Sequence, residues 1–193
     1  MPLKIAPLAI PEVLVIETGL IRDERGFFAE TYSAKVLETN GFRATFLQDN
    51  LSSSRKGVLR GLHYQLEPHG MGKLVRVLSG AAFDVAVDIR RGSPTFGKWV
   101  ARTLTLENRE ALWIPPGFAH GFLALEDSTT LLYKCTTTHT PEAERAMNYA
   151  DPAIGIEWPI RPTLVAAKDA AAPPLASAEY NFSYEPRSPQ LEQ

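Results

Sequence analysis

The sequence predicts an all-β protein with one domain, a sandwich or a barrel. Short apolar runs, punctuated by Gly, Pro, Asn, Asp or Ser, follow one another from residue 45 to residue 137, and this spacing is typical of sandwiches and barrels. Helical periodicity nearly vanishes after residue 40. A chain of 193 residues is long enough for one well-buried core and short for two.

The N-terminal region predicts two strands and a helix. Residues 12–18 (EVLVIET) predict the first strand, and the run FFAETY at 27–32 predicts the second, after a turn. Residues 33–39 predict one short helix, because Ser33 can cap its start and Gly41 follows its end.

The clearest of the later strands is AFDVAVDI at residues 82–89. Its two-residue period places apolar side chains, among them Val85 and Val87, on one face and Asp84 and Asp88 on the other. The predicted strands of this region are 45–51, 57–64, 73–78, 82–89, 98–106, 111–114, 121–125 and 129–137.

Charge and cysteine content limit the classes of partner. Twenty Lys and Arg against 22 Asp and Glu give a net charge of −2 without a basic stripe, which argues against nucleic acid and leaves room for a phosphorylated small molecule. The single cysteine, Cys135, excludes an intramolecular disulfide and is typical of a reducing compartment. No signal peptide is apparent, and no apolar run approaches the roughly 20 residues of a membrane span. We therefore expect a cytoplasmic protein without a membrane partner.

The stretch from Gly57 to Arg76 predicts a pocket. Arg60, His63 and Lys73 interrupt two apolar strands that a Pro- and Gly-containing loop separates. Polar groups are costly to bury without a partner or a task. Since Lys73 shares its side of the strand with the valines two and four residues further on, it is expected to point to the interior.

The motif PPGFAH at 115–120 resembles the P-x-G-x-x-H turn of cupins. This resemblance implies a cupin-type jelly-roll barrel with short peripheral helices and with His120 directed into the barrel. Many cupins bind a metal through a His-x-His pair, a Glu and this later His. Here the pair reads HYQ at 63–65 and Lys73 takes the place of the Glu. Since a charged ammonium has no lone pair for a metal, the barrel is expected to be metal-free.

We expect residues 1–193 to form this single domain, with the jelly-roll core at about 12–140. The segment 141–193 is expected to pack over the barrel. Its composition turns to Ala and Pro after Trp158, which indicates a tail that packs over the barrel or is partly disordered at its end.

The polar residues of the predicted interior are suited to proton transfer beside a carbonyl. The imidazole of His63 has a reference pKa near ~6.5 and can act as a base close to neutrality. A nearby ammonium would stabilise the enolate oxygen that develops. The phenol of Tyr133, which shares a face with Leu131 and Cys135, could return a proton from the opposite side. Such a sequence of steps would be an epimerisation.

Nine segments of the chain together resemble the dTDP-4-dehydrorhamnose 3,5-epimerase family, in order and over about residues 10–175. They are DERGFFAE, FLQDN, GVLRGLHYQ, GKLVRV, FDVAVDIRRGSPTFGKW, LWIPPGFAHGF, LLYKC, GIEWP and AAKDAAAP. The resemblance implies a homodimeric, cofactor-independent enzyme of the dTDP-L-rhamnose pathway. It would convert dTDP-4-dehydro-6-deoxy-D-glucose to dTDP-4-dehydro-L-rhamnose.

The resemblance also implies roles for individual residues. His63 matches the base, Asp169 the carboxylate that orients it, Tyr133 the proton donor and Lys73 the group beside the C4 carbonyl. Position 139 is often an aromatic that stacks on thymine, and the histidine found here offers less stacking area. The positions that match nucleotide or sugar contacts are Arg25, Glu30, Gln48, Asp49, Asn50, Arg60, Lys73, His120, His139, Glu144 and Lys168.

Three alternatives stay open at this point. A mono-epimerase of the same family, inverting only C3 or only C5, would share the base and the carbonyl-stabilising group. A metal-dependent cupin oxygenase is disfavoured by Gln65 and Lys73 at ligand positions. A non-catalytic cupin that binds a sugar nucleotide would have no need of a base and an acid on opposite sides.

Overall fold

The described part of the chain, residues 3–186 of a computed structural model, consists of β-strands joined by loops, with two short helices. Neither helix in this part is long or apolar enough to cross a membrane. The elements are β1 Leu3–Pro7, β2 Leu14–Thr18, β3 Ile21–Asp23, β4 Gly26–Phe28, α1 Ala34–Thr39, β5 Gln48–Ser54, β6 Val58–Gln65, β7 Lys73–Ser79, β8 Ala81–Asp88, β9 Trp99–Thr105, β10 Glu110–Ile114, β11 Phe118–Ala124, β12 Thr129–Cys135, β13 Glu144–Ala146, β14 Leu164–Val165 and α2 Ala167–Ala170.

Two sheets built from these strands form the barrel. The first sheet is antiparallel, with the strand order β1-β2-β10-β7-β12-β5, while the second has the order β13-β6-β11-β8-β9. β14 pairs with β6 in parallel, and β3 and β4 form a separate hairpin. Many neighbouring strands are far apart in the chain, as the connections of a jelly roll require. The predicted all-β fold is confirmed.

Apolar side chains from both sheets pack together between them. Val75 and Val77 of β7 and Leu131 of β12 meet Ala86 of β8 and Phe122 of β11 in one buried cluster. Burial of this apolar surface is the main favourable term for closing the barrel. Side chains alternate along β7, so Lys73 lies on the same face as Val75 and Val77. The packing of these valines therefore directs Lys73 inwards, as the sequence predicts.

A second apolar layer lies on the outer face of the second sheet, beneath residues of the segment 141–186; the rest of the segment predicted to pack over the barrel, 187–193, lies outside the described residues. Val85 and Val87 of β8 are completely buried there and cluster with Met147, Leu175 and Phe182. The alternation predicted for β8 is therefore present. Its consequence is that the polar face of this strand turns into the barrel, because the apolar face is covered from outside.

The predicted helix is present as α1, where the Ser33 side chain accepts a hydrogen bond from the Val36 N–H at 3.4 Å. Of the run 27–32, only its first residues belong to a strand, since β4 ends at Phe28. The strand predicted at 45–51 lies three residues later, because the polar Ser52 to Ser54 pair with β12. The short elements β1, β3, β13, β14 and α2 were not predicted, since two to five residues carry too little periodicity.

An extra residue in β6 sets the direction of two side chains. His120 of β11 pairs with His63, and Phe122 pairs with Arg60, so two steps on β11 correspond to three on β6. Such a bulge places Arg60 and His63 on the same face although they are three residues apart. Gly61 lies in the bulge at φ 136°, and a Cβ there would lie 2.5 Å from the Cα of Gly121.

We predict that Gly61→Ala destabilises the fold by about 2–4 kcal/mol, because it adds a backbone clash to the strain of a positive φ. The matched control is Gly92→Ala, at φ 81° with nothing within 4 Å of the added Cβ. The control should cost only about 1 kcal/mol. Urea denaturation measures both free energies of unfolding, and equal losses would contradict the close-contact argument.

Candidate active site

A cavity of about 350 Å³ opens between the two sheets and is lined by half of the predicted site residues. A second cavity of about 210 Å³ shares His63, Lys73 and Tyr133 with it. The first is lined by Gln48, Asn50, His63, Tyr64, Gln65, Met71, Lys73, Tyr133, His139 and Glu144. The second adds Ser52, Arg60, His120, Phe122, Ala166, Lys168 and Asp169. We treat the two as one site, because three central side chains belong to both.

His63 of β6 is held by a carboxylate from the far end of the chain. Its Nε2 lies 2.7 Å from Oδ1 of Asp169, a residue of α2 that is 2% exposed. The second carboxylate oxygen accepts a hydrogen bond from the Gly61 N–H at 3.2 Å. Because an ionised carboxylate only accepts, Nε2 carries the proton and Nδ1 remains as the basic nitrogen.

The electrostatics of His63 favour the neutral imidazole. Burial lowers the pKa of His63, the hydrogen bond and charge of Asp169 raise it, and Lys73 and Lys168 lower it, with a net decrease. A lowered pKa leaves the imidazole unprotonated near neutral pH, which is the state a general base requires.

Lys73, His120 and Asp84 form a line of contacts inside the barrel. Nζ of Lys73 lies 3.5 Å from Nδ1 of His120, whose Nε2 lies 2.8 Å from Oδ1 of Asp84. Burial lowers the pKa of Lys73, and the charge of Asp84 is among the groups that act against this. Lys73 therefore points inwards, as predicted, and lies next to His120 of the cupin-like turn.

Tyr133 lies across the cavity from His63. It belongs to β12 of the first sheet, where it pairs with Asn50 and Val75, whereas His63 belongs to the second sheet. Burial raises the pKa of Tyr133, so the phenol keeps its proton near neutral pH. The site thus has a proton acceptor and a proton donor on opposite walls.

A chain of polar contacts lines the outer part of the cavity. Gln48 donates to Asn50 Oδ1 at 2.9 Å and accepts from the His139 N–H at 2.9 Å. Glu144 is bound by both Lys168 Nζ at 2.8 Å and His139 Nε2 at 2.6 Å. The hydrogen bonds from Lys168 and His139 lower the pKa of Glu144 to about 2. This carboxylate is therefore ionised at any working pH.

Three predicted contact residues lie outside the cavity of the single chain. Asp49 is on the outer face of β5, where Lys134 binds it at 2.9 Å. Arg25 is exposed at the turn of the β3–β4 hairpin and bonds to Asp23. Glu30 lines a separate small hollow with Arg76. The other predicted residues, His63, Tyr133, Asp169, Lys73, Gln48, Asn50, Arg60, His120, His139, Glu144 and Lys168, are brought together.

The sequence assigned no active role to three residues that border the site. Asp84 is completely buried behind His120, and its position on the polar face of β8 is the one signal that could have found it. Ser52 Oγ is buried without a hydrogen-bond partner in the described residues. The amide of Gln65 joins the loops around it, donating to His69 O and accepting from Thr140 N–H. Among residues 3–186, no group of three or more His, Cys, Asp or Glu is arranged to hold a metal.

Comparison with known proteins identifies the family. The family model described as dTDP-4-dehydrorhamnose 3,5-epimerase matches residues 7–177. The chain is similar to the dTDP-4-dehydrorhamnose 3,5-epimerase of Shigella flexneri, with 51% identity over 172 residues, which are 89% of this chain and 95% of the relative.

Solved structures show the same relationship. One is dTDP-6-deoxy-D-glucose-3,5-epimerase from Legionella pneumophila in complex with dTDP-4-keto-L-rhamnose, with a TM-score of 0.87, 49% identity, and coverage of 91% of this chain and 94% of that one. Another is a 3′-monoepimerase from Streptomyces bikiniensis in complex with dTDP-quinovose, with a TM-score of 0.83, 36% identity, and coverage of 89% and 87%. These similarities confirm the cupin-type jelly roll, and the chain belongs to the dTDP-4-dehydrorhamnose 3,5-epimerase family.

Proposed function

We propose that this protein is a dTDP-4-dehydrorhamnose 3,5-epimerase. It would convert dTDP-4-dehydro-6-deoxy-D-glucose to dTDP-4-dehydro-L-rhamnose by removing and returning a proton at C3 and at C5. The observation that carries the proposal is the arrangement of three groups in one cavity. The His63 base and the Tyr133 acid lie on opposite sheets, and the Lys73 ammonium lies in the same cavity.

His63 starts the proposed reaction by taking the proton beside the C4 carbonyl. The bond that breaks is C–H, its electron pair moves into the enolate, and the proton passes to the imidazole. The imidazolium that forms is stabilised by the buried carboxylate of Asp169, 2.7 Å from Nε2. Since the second oxygen of Asp169 is held by a backbone N–H, the pair keeps its orientation during the step.

Lys73 and Tyr133 complete the step. The Lys73 ammonium stabilises the negative charge on the enolate oxygen, where a preorganised cation in a poorly solvated site is most effective. Tyr133 returns a proton to the opposite face of the carbon, which inverts it. Because C3 and C5 both flank the C4 carbonyl, the same groups serve both inversions, once His63 has released its proton to solvent and the Tyr133 phenolate has taken one up. A proton is removed and returned with no net change of oxidation state, so the chemistry requires no cofactor.

The cations of the second cavity are suited to the diphosphate of the nucleotide. Arg60 is anchored by Ser54 Oγ at 3.2 Å and by the Ser53 carbonyl at 3.3 Å, so its guanidinium is held at the rim. Lys168 lies nearby on the ionised Glu144. Guanidinium and ammonium groups bind phosphate oxygens through charge-assisted hydrogen bonds. The amides of Gln48 and Asn50 are available to the sugar or the base.

We propose that the active form is a homodimer. The exposed large apolar side chains of residues 3–186 include Phe27 (50%) and Phe28 (65%) on the hairpin, Leu47 (63%) just before the edge strand β5, and Leu51 (67%) on that strand. Unpaired sheet edges with apolar side chains need cover. Arg25 stands in the same hairpin but outside the cavity. A second copy that covers these surfaces would bring its own Arg25 to the site.

We also propose a cytoplasmic location. The one cysteine of the chain, Cys135, is a buried free thiol. Asn50 donates to its sulfur at 3.5 Å, so it takes part in the packing of the barrel as a thiol. Proteins that keep such thiols are typical of reducing compartments.

A second candidate function is supported by the similarity to the 3′-monoepimerase. An enzyme that inverts one carbon needs the same base and the same carbonyl stabilisation. It differs in whether the acid reaches one carbon or both. An experiment that follows C3 and C5 separately distinguishes the two functions.

The proposed function predicts that deuterium from heavy water enters both C3 and C5 of dTDP-4-dehydro-6-deoxy-D-glucose. Proton NMR follows the two signals, and a reductase trap identifies the L-rhamno product. Exchange at one carbon would favour the mono-epimerase, and exchange at neither would refute both. The control is His63→Ala, in which exchange should fall by about three orders of magnitude because the base is missing.

Asp169→Asn is predicted to lower the rate about a hundredfold or more, because it removes the group that orients the base and stabilises its cation. Since Asp169 raises the pKa of His63, its loss should also move the acid limb of the kcat/KM profile to lower pH. Asp127→Asn, at an exposed carboxylate that lines neither cavity, serves as the control. An unchanged acid limb with an undiminished rate would exclude this role.

The proposed dimer predicts complementation between two weakened variants. Arg25→Ala and His63→Ala chains, mixed under conditions that exchange subunits, should regain about a quarter of wild-type activity, since half of the subunit pairs are mixed and each has one complete site. The control mixture pairs His63→Ala with Tyr133→Phe, which affect the same cavity, and should regain nothing. No gain in the first mixture would show that Arg25 does not act in the other subunit's site.

A further inference from the structure

Asp84 is a completely buried carboxylate for which the proposed mechanism has so far no use. It lies on β8 between Phe83 and Val85, which pack outwards beneath the C-terminal residues. Its own side chain therefore points into the barrel. One oxygen lies 2.8 Å from Nε2 of His120, and the other has no hydrogen-bond partner among the described residues.

A carboxylate in this position needs a compensating positive charge, because burial removes the water that would otherwise stabilise it. Arg102, opposite Asp84 on β9, is bound to Glu110, and Arg90, just after β8, is bound to Asp88 and Glu12. The cation that remains is Lys73, whose Nζ is 3.5 Å from the other ring nitrogen of His120. His120 thus lies between a buried anion and a buried cation.

The proton positions in this line of contacts follow from the donors and acceptors. Asp84 accepts, so Nε2 of His120 carries its proton. Nδ1 of a neutral imidazole then presents a lone pair to the Lys73 ammonium, which donates. An imidazolium would instead direct an Nδ1–H at the ammonium, which is repulsive. The line therefore consists of an anion, a neutral ring and a cation, with no net charge.

Two other carboxylates lie around Lys73, and each has its own cationic or histidine partner. Asp169 is bound to His63, while Glu144, whose charge also raises the pKa of Lys73, is bound to Lys168 and His139. Asp84 has no such cationic partner among the described residues. Burial raises the pKa of Tyr133 and of Cys135, so neither supplies a negative charge near neutral pH. The groups that face Lys73 or share its two cavities are His63 and Arg60 on β6, Asp84 on β8, His120 on β11, Tyr133 and Cys135 on β12, Glu144 on β13, His139, and Lys168 and Asp169 on α2.

We propose that Asp84 is a positioning residue for the epimerisation. Acting through His120, it orients Lys73 and supplies the negative charge that keeps the Lys73 ammonium protonated inside the barrel. The inference rests on the proposed function for its catalytic meaning, since a neutral amine would stabilise the enolate oxygen far less. The stabilisation of the Lys73 ammonium by Asp84 through His120, which we call the charge relation, does not depend on that function.

The test compares Asp84→Asn with Asp84→Glu, which keeps the charge. Titration of the Lys73 side chain by NMR, with isotope-labelled lysine, should show a lower midpoint in Asp84→Asn and a midpoint near wild type in Asp84→Glu. In the epimerase assay, Asp84→Asn should lower kcat about ten- to a hundredfold with little change in KM. The alkaline limb of its pH profile should move to lower pH, because the amine loses its proton earlier.

Asp88→Asn is the matched control, because Asp88 is equally buried on the same face of β8 but is bound to Arg90 and Ser93. It should leave the Lys73 midpoint unchanged. An unchanged midpoint in Asp84→Asn would overturn the proposal, whatever the turnover. A lowered midpoint in a protein without epimerase activity would refute the proposed function and leave the charge relation intact.

A measurement on the unaltered protein covers the case in which Asp84→Asn does not fold. Nitrogen NMR of labelled histidine should show His120 as the neutral tautomer with its proton on Nε2. A proton on Nδ1, in either the other tautomer or the imidazolium, would show that His120 does not accept from Lys73. Asp84 could then not act on Lys73 through His120.

Discussion

The packing of the segment 141–186 on the second sheet is the constraint on which the site depends. A buried cluster outside the barrel contains Val85 and Val87 of β8 and Leu62 of β6, together with Met147 and Leu175. Strands with a covered outer face can turn polar side chains inwards without losing hydrophobic stabilisation. The same segment delivers Asp169 to His63. One packing arrangement therefore creates both the polar interior and the partner of the base.

Two buried carboxylates at the site are each paired with a histidine. Two histidines each contact a buried carboxylate, at 2.7 Å for His63 and 2.8 Å for His120. The surroundings of the two pairs differ, because both oxygens of Asp169 are satisfied, whereas only one oxygen of Asp84 is. The first pair is suited to accept a proton, and the second to hold the neighbouring ammonium. Two pairs of the same side-chain types thus differ in the contacts of their second carboxylate oxygen.

Local periodicity accounts for what the sequence could predict. The strands, the capped helix and the inward direction of Lys73 follow from alternation and from cap chemistry. Asp169 could be placed only through the family resemblance, since it lies in a one-turn helix and meets a residue 106 positions earlier. The bulge in β6 was not predicted. A glycine inside a strand indicates a bulge, but both paired strands contain one, Gly61 and Gly121, so the sequence does not mark which strand gains the residue. Without the bulge, Arg60 and His63 would face opposite sides.

The contact between Gly61 and Gly121 has a consequence for the evolution of the protein. A Cβ at Gly121 would lie 2.9 Å from the Arg60 carbonyl oxygen, so the restriction applies to both strands. A change at one position cannot be relieved by a change at the other, since each glycine is already the smallest residue. We therefore expect every single-step path away from this pair to pass through a damaged protein. Combinatorial libraries that redesign the substrate range can vary the walls of the cavity and should leave this pair fixed.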